Sequence, residues 1–222
     1  MTDITFLSAD YSEIRHRCSL LMGKVYKKLS SEDIQTCGSE LGVWRNNKLA
    51  LDNDDNKTLF IDYCVFAYRP NGFNMAEKFL RFCHQEADES ELELLRYMRD
   101  AHYSMYQVEE TNGVDTFNVV DIYSKAQYKI SANTMAKSTH KGQIMAGYLI
   151  DFDGFSIQTG GTVIMAKEII GSEAMKATIA YMADAYPGDF LRNPGIGARL
   201  AKQIVASALR LGNPSNVVCV EF

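Results

Sequence analysis

The sequence predicts an α+β fold: a helical N-terminal half, a central antiparallel β-sheet or small barrel of about five strands, and C-terminal helices. Up to residue 101, apolar residues recur every three or four positions, the period of one helix face. From His102 to Met165 the runs are short, rich in β-branched and aromatic residues, and punctuated by Asn-Gly and Asp-Gly. Helical spacing returns after Gly160-Gly161, so the implied regions are 1–101, 102–165 and 166–222, read as parts of one compact unit.

In the first helix Ile14, Cys18, Leu21, Val25 and Leu29 lie on one stripe. Ser30 stands where an N-cap belongs, acids follow it, and Ile34, Cys37 and Leu41 carry a short second helix to Gly42. Residues 46–57 are polar and predict a loop, with Asp52-Asn-Asp-Asp-Asn56 as its solvated part. That run is no calcium loop, because Lys57 replaces the glycine of the sharp turn and Tyr63 the bidentate glutamate. Residues 59–68 are apolar and aromatic and predict a buried helix ending at Pro70-Asn-Gly72. Met75, Phe79, Phe82 and Cys83 share the face of another helix, and Asp88-Glu-Ser-Glu91 opens one with Leu92, Leu95 and Met98.

In the β region, residues 103–110 and 114–123 flank Asn112-Gly113, whose tolerance of positive φ suits a type I′ hairpin. Residues 128–131 make a short strand, and 142–152 and 155–159 flank a second hairpin signal, Asp153-Gly154. Ile144, Ala146, Tyr148, Ile150 and Phe152 are more apolar than the residues between them, which predicts one buried face. Residues 165–182 read as helical, Tyr186-Pro-Gly188 as a break, and 196–211 as an amphipathic helix stopped by Gly212-Asn-Pro214. Residues 217–222 are a candidate added strand.

Composition narrows the function classes without selecting one. With 46% hydrophobic and 23% charged residues the chain matches ordinary globular proteins. It has no run of ~20 apolar residues and no signal-peptide pattern at Met1, and its five cysteines are odd in number and widely spread. A cytoplasmic location with reduced thiols and no membrane partner is therefore expected. The net charge of −5 gives no general attraction for a polyanion. His16/Cys18 and Cys83/His84 lack the gap of a metal knuckle, so no metal or cofactor is expected. Cys64 and Cys83 carry no local nucleophile signature, Asp151 and Asp153 belong to a hairpin in which Asp153-Gly154 is explained by the turn alone, and catalytic residues are unknown. The aromatics of the β region, among them Tyr103, Tyr106, Tyr128 and Tyr148, are the type that stacks bases, but most must fill a core and few basic residues interleave them.

Two resemblances add to this. Glu91-Leu-Glu-Leu-Leu95, the run 101–110, Val119-Val-Asp-Ile122 and Gly142-Gln-Ile-Met-Ala146 resemble a β-rich module, here over residues 91–164, of uncharacterised bacterial proteins that often carry a SEC-C zinc motif. That resemblance implies a helix leading into a strand, a hairpin and further strands; it implies no activity, and its cysteine-rich tail has no counterpart beside the single Cys219. Residues 193–204, Asn193-Pro-Gly-Ile-Gly-Ala-Arg-Leu-Ala-Lys-Gln-Ile204, resemble the hairpin of helix-hairpin-helix DNA-binding modules. That resemblance implies a nucleic-acid or anion site at Gly195, Ile196, Gly197, Arg199 and Lys202, with Arg192 adding charge, where glycines let helix-end amides approach a phosphate. The competing reading is a turn and helix start that pack Ile196, Leu200 and Ile204 inward. The expected function is a non-catalytic interaction or scaffold protein that binds a protein partner or itself. The alternatives are a weak nucleic-acid binder using the Pro194–Gly197 turn, or an enzyme whose site assembles only in the fold.

Overall fold

The computed structural model describes residues 11–165, 173, 175–177, 180, 181 and 193–211. Its helical half contains α1 (Tyr11–Tyr26), α2 (Ser31–Glu40), α3 (Asp54–Asp62), α4 (Met75–Phe82) and α5 (Glu89–Arg99). α1 buries Ile14, Cys18, Leu21 and Val25, the stripe read from the sequence, together with Met22. Ser30 caps α2 through a reciprocal box: its hydroxyl accepts the Asp33 N–H at 3.1 Å, and the Asp33 carboxylate accepts the Ser30 N–H at 2.9 Å.

The segment 46–57 is not the single loop expected. Two-residue strands β1 (Trp44–Arg45) and β2 (Lys48–Leu49) pair across Asn46-Asn47, both at positive φ, as a type I′ turn requires. α3 then begins inside the acidic run, because the Asn53 side chain accepts the Asn56 N–H at 2.8 Å and Asp54 and Asp55 suit the positive end of the helix dipole. After Asp62 the chain widens into a π-helical turn, Tyr63–Ala67, closed by the Tyr68 N–H on the Tyr63 carbonyl at 2.9 Å. All five residues of that turn are buried, since helices pack around it on several sides.

β3 (His102–Thr111), β4 (Thr116–Asp121), β5 (Gln127–Ser131), β6 (Ile144–Phe152), β7 (Phe155–Gln158) and β8 (Val163–Ile164) form the main sheet. β3 pairs with β4 along its second half and with β6 along its first, which closes the ring β3-β4-β5-β7-β6. Of these pairings only β5–β7 is parallel, and α6 (Asn133–Ser138) links β5 to β6 and contributes Met135 and Ala136 to the barrel interior. This connectivity is a five-stranded Greek-key barrel of the OB type.

Both hairpins are present. Asp153-Gly154 is a two-residue turn with Gly154 at φ 82°. At Asn112-Gly113 the expected two-residue turn is replaced by a four-residue loop, because the Asn112 carboxamide oxygen accepts the N–H groups of Val114, Asp115 and Thr116 and holds a wider bend. The one-sided pattern expected for β6 is corrected too. Ala146, Tyr148 and Ile150 face the helical layer while Met145 and Leu149 fill the barrel, so the strand is buried on both faces.

α7 (Pro194–Leu211) lies against the π-helical turn and β3 and buries Ile196, Leu200 and Ile204. One apolar cluster joins α1, α5, α7 and the outer barrel face at Tyr103, Met105 and Tyr148; a second fills the barrel with Tyr106, Phe117, Val119 and Leu149. Positions 173, 175–177, 180 and 181 are helical. The expectations for Tyr186-Pro-Gly188, Arg192, Gly212-Asn-Pro214 and residues 217–222 fall outside the described residues. No described helix is long and apolar enough to cross a membrane.

Candidate functional site

A cleft of about 210 Å³ opens where the helical layer, the barrel wall and the start of α7 meet. Phe66 reaches it from the π-helical turn, Arg69 from just beyond that turn, and Arg99 from the last turn of α5. Tyr103 and Tyr148 are cross-strand neighbours on the outer face of β3 and β6, their rings 4.9 Å apart edge to face. Pro194 and Gly197 of α7 complete the wall.

The charges around the cleft do not cancel. Arg99 makes a bidentate pair with Asp100 at 2.8 and 2.6 Å. Glu77 takes Arg81 at 2.7 Å, and the Arg69 guanidinium lies 3.9 Å from the same carboxylate, beyond a hydrogen bond. The Arg69 Nε–H donates to the Gly72 carbonyl at 3.1 Å, and partial burial of the guanidinium makes its charge costlier to hold. Of the arginines and carboxylates that line the cleft, two guanidiniums, Arg69 and Arg99, stand against one carboxylate, Asp100, a surplus of one positive charge. The positive end of α7 adds to it. Tyr103 is fully buried, and its hydroxyl has no hydrogen-bond partner among the described residues.

Asp62, the last residue of α3, is buried against the segment after β7. One carboxylate oxygen accepts the Thr159 hydroxyl and the Gly161 N–H at 2.8 Å; the other has no hydrogen-bond partner among the described residues. Burial pushes this carboxyl up to about 7, against the smaller opposite pull of Thr159, Gly161 and Arg15. At the barrel's end, His102 Nδ1 sits 3.5 Å from Asp151 Oδ2, and the Ser156 hydroxyl donates to Asp151 Oδ1 at 2.7 Å, so Asp151 has a partner role beyond its turn. Burial raises the thiols of Cys18, to about 12, and Cys64, which makes both poor nucleophiles at neutral pH. No group of three or more His, Cys, Asp or Glu among the described residues is placed to hold a metal.

A family profile matches residues 7–172 and carries the description "family of unknown function", DUF7986. The chain belongs to this family. The match spans the helical half and the whole barrel, so the DUF7986 unit includes Asp62, Arg69, Arg99, Tyr103 and Tyr148 of the site, while α7 lies beyond the matched residues. Neither the SEC-C-associated module nor a helix-hairpin-helix unit is shown by the comparisons, and no curated protein or solved structure matches the chain.

Of the residues singled out by the hairpin resemblance, the fold brings Gly197 to the cleft wall, beside Pro194. The amides of Gly195, Ile196 and Gly197 are used within the turn, donating to the Asn193 side chain at 3.0 Å and to its carbonyl at 3.0 and 3.1 Å. Arg199 is exposed, Lys202 pairs with Glu40 at 2.9 Å, and neither lines the cleft. Sequence reasoning missed Asp62, Arg69, Arg99 and the pairing of Tyr103 with Tyr148. Asp62 alone left a legible signal, a lone carboxylate in an otherwise apolar run.

Proposed function

We propose that this DUF7986 protein is a non-catalytic binding protein and that its ligand is a small anion held in the cleft by Arg69, Arg99, Tyr103 and Tyr148. The surplus of positive charge in a partly buried, aromatic-walled cleft is the observation that carries the reading. An anion there gains charge-assisted hydrogen bonds in a medium that screens them poorly. At about 210 Å³ the cleft lies below the ~300–1,000 Å³ of drug-sized sites, which suits a small acid and not a polymer. A nucleic-acid role draws less support. The outward residues of β4 and β5 are Asn118, Val120, Gln127 and Lys129, with no ring for a base to stack on.

Calorimetric titration with sulfate, phosphate and acetate at low salt tests the proposal. Wild-type protein should bind at least one of these anions and melt at higher temperature in its presence. Arg69→Gln should weaken that binding by roughly ten- to a hundredfold, the loss of one charge-assisted contact. If no anion binds, or if a well-folded Arg69→Gln variant binds as tightly as wild type, the cleft is not an anion site.

A further inference from the structure

We infer that the anion taken by the cleft is a monocarboxylate carrying one ring-sized apolar group, with its carboxylate on Arg69 and Arg99 and its apolar group on Phe66, Tyr103 and Tyr148; this rests on the anion reading above. The lining has two kinds of surface. Arg69, Arg99, Asp100 and His102 supply the charged and polar part, while Phe66, Ala101, Tyr103, Tyr148 and Pro194 supply hydrocarbon and aromatic carbon. Phe66, Tyr148 and Tyr103 form a continuous wall of rings, because Tyr148 stands 5.1 Å from Phe66 at an interplanar angle of 31° and 4.9 Å from Tyr103 at 69°. An inorganic oxyanion leaves such a wall facing water. A ligand that is apolar at one end covers it and gains the free energy of removing that surface from water.

The charges set the ionic state of the ligand. Arg99 is engaged by its bidentate pair with Asp100 at 2.8 and 2.6 Å, whereas Arg69 donates its Nε–H to the Gly72 carbonyl at 3.1 Å and lies 3.9 Å from Glu77. His102, the remaining basic residue of the lining, has Asp151 Oδ2 3.5 Å from its Nδ1 to match a proton that it carries. One uncompensated guanidinium suits one negative charge, and a dianion would leave its second charge unpaired in a partly buried site. A planar carboxylate also matches the planar guanidinium fork. The buried Tyr103 hydroxyl, without a hydrogen-bond partner among the described residues, favours an oxygen-bearing ligand over a plain hydrocarbon. An apolar cavity of roughly 150 Å³ accepts a benzene molecule. The cleft, at about 210 Å³, therefore has room for one ring and a carboxylate.

Benzoate is the probe, compared by calorimetric titration with acetate, sulfate and neutral benzyl alcohol. The wild type should bind benzoate at least about tenfold more tightly than acetate, because the ring is buried. Sulfate and benzyl alcohol should both bind more weakly than benzoate, the first for its second charge and the second for want of any. Phe66→Leu should cut the preference for benzoate over acetate by about three- to tenfold and leave acetate binding in place. If acetate or sulfate binds as tightly as benzoate, or if a folded Phe66→Leu variant keeps the full preference, the inferred ligand class is overturned and the anion site stands. The wild-type series decides this even where the variant does not fold. Benzyl alcohol binding as tightly as benzoate, or no binding of any of the three anions, overturns both the ligand class and the anion reading.

Discussion

Asp62 ties the stability of the fold to pH, and the direction follows from where its proton is held more tightly. In an unfolded chain an aspartate ionises near pH 3.9. In the folded protein burial raises that value to about 7, so the native state binds the proton more strongly than the unfolded state between these two points. The stability contributed by Asp62 is therefore fully present below about pH 4 and is lost as pH rises through about 7. Thermal melts at pH 5, 6.5 and 8 should show a decline in the wild type that is flattened in Asp62→Asn, whose carboxamide oxygen can still accept from Thr159 and Gly161. A variant that declines as steeply as wild type would assign the slope to other groups. The sequence offers one hint of this residue, the break it makes in Leu59-Phe-Ile-Asp-Tyr-Cys-Val-Phe66. It offers none of its partners Thr159 and Gly161, because hydrogen bonds across nearly a hundred residues leave no local pattern.

At the scale of elements, signals that act within a few residues were the legible ones. The α1 stripe, the Ser30 cap and the Asp153-Gly154 turn are each decided by contacts between near neighbours in sequence. Ser30→Ala should cost about 1 kcal/mol in a urea titration, because it breaks one half of the capping box. The same change also releases the Asp33 carboxylate from the Ser30 hydroxyl at 2.7 Å, which leaves Tyr68 as its remaining side-chain donor among the described residues. The start of α3 was misread because acids in a first helical turn look like acids in a loop, and only the bond from Asn56 to Asn53 distinguishes them. β6 was misread for a different reason. Alternation reports one buried face, and a barrel wall covered by helices has two.

The helical layer and the barrel share one apolar cluster, with Tyr103 and Tyr148 on the barrel side and Leu95, Leu200 and Ile204 on the helical side. Cooperative unfolding of both regions is the consequence, since neither can leave without exposing the common core. Leu200 is fully buried, and Leu200→Ala should cost about 2–5 kcal/mol. Far-ultraviolet circular dichroism and Trp44 fluorescence should report the same midpoint before and after the change; separated midpoints would mean that the halves unfold independently. The cleft belongs to this scale as well, because Arg69, Arg99, Tyr103, Tyr148 and Gly197 come from separate elements around that shared core.

By itself the sequence determined the α+β class, the position of the β region, most helices and the inward face of α7. Each of these depends on periodicity, capping or turn chemistry, which act over two to four residues and leave their mark in the order of residue types. The tertiary structure alone decided that the strands close into a barrel, that β6 is buried on both faces, and that Arg69, Arg99 and Asp100 meet beside two tyrosines. These outcomes depend on how elements far apart in the chain pack together, and on electrostatic and desolvation energies that exist only once water has been excluded between them.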